Sequence, residues 1–137
     1  MQFDINYVAV LVAAISNMVV GSLWYGPVFG SYWMKLNNFT PESMKTMHLK
    51  PAHAMVGGAV TALLMSYVLA HVAQAFGAVG IMGALQLAFW VWLGFVLVTL
   101  AESFLWEGKT YKLLVLNGAR SIVTLVVMAS IIVLWPW

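Results

Sequence analysis

Residues 79–106 read VGIMGALQLAFWVWLGFVLVTLAESFLW, and no ionisable side chain occurs in them before Glu102. A helix needs ~20 apolar residues to cross a bilayer, so this run is long enough to do so. It is too long for a strand and lacks the ~10-residue alternating segments of an outer-membrane barrel. Three further runs of the same character flank it, at about 7–25, 51–76 and 111–134. Gly26 and Pro27 stop the first, because proline breaks the helical ladder and disfavours helix before it. Pro51 suits the first turn of the second, where its missing N–H is no loss. Gly77 and Gly80 mark a tight turn before the third, and Pro136 ends the fourth.

Composition agrees with this reading. The chain has 137 residues, 64% hydrophobic and 7% charged, against about 25% charged in soluble domains. The expectation is an all-α integral membrane protein: a four-transmembrane-helix bundle in a single domain over residues 1–137, with short interfacial helices in the first loop. The net charge of +2 gives no reason to expect nucleic acid, and membrane lipid is the expected surrounding. There is no cysteine, so thiol chemistry is excluded. Asp4 stands where a signal peptide carries lysine or arginine, so the first run reads as a retained helix.

Lys35, Lys45 and Lys50 lie between the first two spans, and Lys109 and Lys112 at the turn between the last two. The positive-inside rule puts both loops in the cytoplasm and both termini outside, as for a multi-pass protein of the inner (cytoplasmic) membrane. Within the first loop Phe29, Trp33, Leu36 and Phe39 form an apolar side that can lie on the membrane surface, with Lys35 toward water. Thr40-Pro41-Glu42 then reads as a helix N-cap, a first-turn proline and a first-turn acid, starting a short helix to about His48. Ser22-Leu23-Trp24-Tyr25-Gly26 and Phe104-Leu105-Trp106-Glu107-Gly108 are similar endings of spans one and three. Two parallel two-helix units or chance recurrence at membrane edges would both account for them.

Helices in lipid associate through small residues that let backbones approach. Span two carries Ala54, Gly58, Ala62, Ser66 and Ala70, and span one Ala9, Ala13, Asn17 and Gly21, at every fourth position. Close packing of the two spans through Ala13, Gly21, Gly58 and Ala62 is expected, with a dimer seam as the alternative. The polar residues are more specific. Thr99, Glu102, Ser103 and Trp106 share one face of span three, and Asn117, Arg120, Ser121 and Thr124 one face of span four. Glu102 lies roughly 9 Å before the connecting turn and Arg120 roughly 14 Å after it. An ionised residue deep in the bilayer costs ~2.5–3.5 kcal/mol and is rare unless paired or functional. A Glu102–Arg120 pair bordered by Ser103 and Asn117 is therefore expected, as a staple or as part of a binding site. Asn17, near mid-span, suits a helix-to-helix hydrogen bond.

His53 and His71 are roughly 27 Å apart along one helix, and no acid or cysteine joins His48 and His53, so no metal site is expected. Trp24, Tyr25, Trp33 and Trp106 read as anchors at the inner interface, Trp135 and Trp137 at the outer one. Trp90 and Trp92 fall near mid-span and suit a lipid or partner contact. No phosphate loop, His-Glu-x-x-His helix or nucleophile elbow is present, so neither an enzyme nor a cofactor is expected.

The stretch Leu23-Trp24-Tyr25-Gly26-Pro27-Val28-Phe29-Gly30 with Trp33-Met34-Lys35 resembles the hallmark segment of a bacterial family, domain of unknown function 1761. Ile5-Asn6-Tyr7-Val8-Ala9-Val10, and Phe104-Leu105-Trp106-Glu107-Gly108 followed by Asn117, resemble it too. The resemblance implies a small four-helix membrane protein and brings no activity, ligand or catalytic residue. The functional expectation is a non-enzymatic homo-oligomer. The alternatives are a small-solute or ion transporter using the polar cluster, and an accessory subunit of a larger membrane complex.

Overall fold

In the computed structural model, residues 3–46 and 51–136 are described. All regular structure among them is helical. Four helical stretches are long and apolar enough to cross a membrane, Tyr7–Val28, Pro51–Ala75, Gly80–Trp106 and Tyr111–Leu134, and the chain is a multi-pass membrane protein. His48, Lys50 and Trp137, invoked above, lie outside the described residues.

Span one begins at Asn6, whose side chain accepts hydrogen bonds from the Val8 and Ala9 N–H groups. Helix α1 runs Tyr7–Leu23. The helix breaks at Gly26-Pro27 as expected, in a kinked π turn over Trp24–Val28 whose Gly26 has non-helical φ and ψ. Proline has no N–H to give the ladder and disfavours helix in the residue before it. Helix α2, Gly30–Leu36, follows, with Trp33 and Leu36 half-buried and Lys35 exposed. Helix α3 is Pro41–Lys45. Thr40 Oγ1 accepts from the Ser43 N–H while Ser43 Oγ accepts from the Thr40 N–H, so each caps the other.

Helix α4, Pro51–Ala75, is span two. Span three is α5, Gly80–Val91, a second π turn over Trp92–Leu97, and α6, Val98–Trp106. Span four is α7, Tyr111–Leu134, capped by Thr110. The turn between spans two and three holds Gly77 and Gly80 at positive φ, as does Gly108 between spans three and four. The two similar span endings differ locally: the first is the π turn, the second an α-helix closed at Gly108.

Span four is the hub, packed against spans one and three, while span one also packs against span two. The core gathers Ala13, Leu69, Ala73, Ala84, Leu87, Ala88, Leu125, Met128 and Ala129 from all four spans. It lies toward the end of the bundle away from the lysine loops. There Ser66 Oγ donates to the Val10 carbonyl at 2.7 Å, joining spans one and two.

The small-residue seam is only partly as expected. Ala13 and Ala62 are buried, but a side chain at Gly58 would meet open space, and Gly21 faces Arg120 of span four instead. Four residues turn a helix by 400°, so an every-fourth stripe drifts by ~40° per step. From Ala13 to Gly21 the stripe moves off span two and onto span four. On span two, residues 51–57 are exposed.

Candidate functional site

Asn17, Gly21 and Tyr25 follow one another at every fourth position on span one, and Asn117, Arg120, Ser121 and Thr124 lie on the facing side of span four. Arg120 is roughly 14 Å into a helix ~36 Å long, within ~5 Å of its midpoint. Its side chain lies across Gly21, where an added Cβ would stand 2.8 Å from Nη2. The absence of a side chain there lets the guanidinium reach span one. Nη2 donates to Asn17 Oδ1 at 2.9 Å and approaches the Asn17 carbonyl at 3.4 Å. The guanidinium carbon stands 6.0 Å from the centre of the Tyr25 ring. Nε is buried without a partner.

The expected Glu102–Arg120 pair is not formed. The face of α6 toward span four carries Leu100, Ser103 and Phe104, which line a cavity with Leu113 and Asn117. Glu102 is one residue from Ser103, so it is turned ~100° away and is exposed. Arg120 takes neutral acceptors instead, the amide of Asn17 and the Tyr25 π face, and no ion pair forms among the described residues. Of the expected cluster, Arg120 and Asn17 touch, Asn117 joins them through Tyr25, Ser103 lines the adjoining cavity, and Glu102 stands apart.

Tyr25, expected as an interfacial anchor, turns toward span four. Its hydroxyl donates to Asn117 Oδ1 at 2.6 Å, and its ring packs on Trp33, which packs in turn on Phe39. The signal was present: Tyr25 continues the Asn17–Gly21 stripe. The Asn17 amide nitrogen lies 3.5 Å from the sulfurs of Met65 and Met128, which close the site on its apolar side. Thr124 and Ser121 donate to the carbonyls of Arg120 and Asn117 within span four.

On the lysine side, a cavity of about 80 Å³ is lined by Lys109, Thr110, Ser103 and Asn117 among others, without reaching Arg120. Asn117, at its inner end, accepts the Tyr25 hydroxyl. At the other end, a cavity of about 160 Å³ is lined by Asn6, Ala9 and Gln74 among others. Between Ala9 and Asn17 stands the turn of α1 carrying fully buried Ala13, so the polar site is closed on that side.

Trp92 is also drawn inward. Its Nε1 donates to the Gly118 carbonyl at 2.9 Å, tying the π turn of span three to span four. Trp90, with the same indole N–H, is 57% exposed; nothing in the sequence separates the two. Trp24 is half-buried against Phe29, while Trp106 is exposed. No group of three or more potential metal ligands occurs among the described residues.

A family model described as "Protein of unknown function (DUF1761)" matches residues 8–133. No curated protein and no solved structure matches.

Proposed function

The chain belongs to the DUF1761 family, whose description assigns no activity, and from the site itself we propose a non-enzymatic carrier or binding protein for a small anion. The observation that carries this reading is the Arg120 guanidinium, near mid-membrane, held by neutral groups alone. Arginine cannot shed its proton, and a lone charge at that depth is costly. A staple would be completed by a carboxylate. A guanidinium ringed by neutral acceptors, with Nε still free, leaves its charge for an anion to answer. Carboxylates and oxyanions suit its planar fork.

The cavity lined by Lys109, Ser103 and Asn117 stops short of Arg120, and entry of an anion from that side takes a movement of Tyr25 and Asn117, with Lys109 attracting it. By the positive-inside rule that side is the cytoplasm, and both termini lie outside. The working form is a homo-oligomer, docked through Phe89, Trp90 and Phe95 on span three, all exposed near mid-span. Docking to a different membrane subunit through the same face would make the chain an accessory subunit.

The test is thermal unfolding of the protein in lipid nanodiscs, followed by tryptophan fluorescence, in chloride, acetate, sulfate or phosphate. At one hundred times its dissociation constant a ligand adds ~2.7 kcal/mol of stability. At least one anion should raise the midpoint of the wild type and leave Arg120→Gln unmoved. Equal responses of the two proteins to every anion would refute the anion site. Subunit counting by single-molecule bleaching checks the assembly, and single copies in native lipid would refute it.

A further inference from the structure

Beside Arg120 on span four, about a quarter to a third of a turn round the helix, the kink at Gly26-Pro27 opens a groove of about 330 Å³. Trp24 and Phe29 from the π turn and Tyr32 from α2 form one wall. Span four forms the other with Tyr111, Lys112, Val115, Leu116 and Ala119. These span-four positions follow a helical stripe, so the groove descends roughly 12 Å from Tyr111 to Ala119, most of one ~15 Å leaflet.

The chemistry changes along that descent. Lys112 and the hydroxyl-bearing Tyr32 and Tyr111 stand at the shallow end, all exposed. On span four, Val115, Leu116 and Ala119 line the deep end. One positive charge sits at headgroup depth above an apolar trough. This is the complement of a phospholipid, whose anionic head lies at the interface and whose chain runs inward. The two halves are fixed by different causes. The trough exists because the chain breaks at Gly26-Pro27 and α2 leaves the axis of span one. The charge exists because Lys112 follows the Thr110 cap in the first turn of span four.

We propose that the groove between the kinked end of span one and the start of span four is a site for one anionic phospholipid, its headgroup on Lys112 and an acyl chain along Val115, Leu116 and Ala119. It shares no side chain with the Arg120 site, and the two stand or fall separately.

Native mass spectrometry of the detergent-purified protein, with phosphatidylglycerol or phosphatidylcholine of the same chains, tests this. The wild type should retain phosphatidylglycerol over phosphatidylcholine by about fivefold, the effect of one lysine near an anionic surface. Lys112→Gln, an exposed change that leaves the fold intact, should abolish the preference. Ala119→Trp, which fills the trough, should lower retention of both lipids. Equal retention of the two lipids by the wild type would overturn the proposal, as would an unchanged preference in Lys112→Gln. A protein dimer that Ala119→Trp breaks, with lipid retention unaltered, would put a second copy in the groove and overturn it too.

Discussion

Asn17→Leu removes the amide oxygen that Arg120 holds and keeps the side chain's size. The bond is 2.9 Å long and charge-assisted, and only the Asn17 carbonyl at 3.4 Å is left as an oxygen acceptor. A hydrogen bond to a charged group contributes ~1.5–3 kcal/mol in water-soluble proteins. Polar pairs measured in a bilayer average ~0.6 and reach ~1.7 kcal/mol. A coupling of about 1–1.5 kcal/mol is expected between Asn17 and Arg120. The single-mutant loss is harder to read, because leucine also gains contact with Met65 and Met128, whose sulfurs the amide now touches. A double-mutant cycle with Arg120→Met cancels that gain. The assay is reversible unfolding in mixed micelles, followed by tryptophan fluorescence. Asn17→Leu should destabilise by up to about 1 kcal/mol, the coupling less leucine's gain, and adding Arg120→Met should recover part of it, since no charge is then stranded. A coupling below ~0.3 kcal/mol, within the error expected of independent sites, would refute the contact. The same cycle between Glu102→Gln and Arg120→Met should give no coupling. A value there comparable to the Asn17 one would refute the geometry.

Gly21→Ala places a Cβ 2.8 Å from Arg120 Nη2, at the end of a side chain that can shift, and the cost of moving it off Asn17 is offset by alanine's helix gain of ~0.8–1 kcal/mol; the net change should be under ~1 kcal/mol, and in an Arg120→Met background the substitution should be stabilising. Gly58→Leu meets open space and should change unfolding free energy by less than ~0.5 kcal/mol, whereas a larger loss tied to a smaller oligomer would put Gly58 in a seam between copies. Trp92→Phe removes the bond to the Gly118 carbonyl and should lower unfolding free energy by about 0.5–1.5 kcal/mol. Tyr25→Phe releases Asn117 and should speed labelling of a cysteine at Ser121 by a water-soluble thiol reagent from the lysine side several-fold; an unchanged rate would argue against Tyr25 as the barrier.

The four spans were legible in the sequence almost to the residue, Tyr111–Leu134 and Gly80–Trp106 included. The bilayer demands long apolar runs and stops them at Pro, Gly and charge, all local properties. The Thr40 cap and the half-buried side of α2 were local as well. Arg120 and Asn17 stood out for the same reason, as polar side chains where the solvent is lipid.

Which partner each polar group takes was decided only by the tertiary structure. Glu102 and Arg120 have similar depth, but depth does not set azimuth, and one residue's step of ~100° separates Glu102 from the face that meets span four. The every-fourth stripe on span one crosses from span two to span four, so Gly21 serves Arg120 rather than Gly58. Periodicity in one helix cannot show where the neighbouring axis lies. Tyr25 lies on the Asn17–Gly21 stripe, but that it reaches Asn117 is set by where span four packs. Trp92 finds Gly118 from the π turn Trp92–Leu97, which changes helical phase without a distinctive composition. Sequence alone therefore determined that this chain crosses the membrane and which residues are out of place there; packing determined that the arginine answers to an amide and an aromatic ring rather than to an acid.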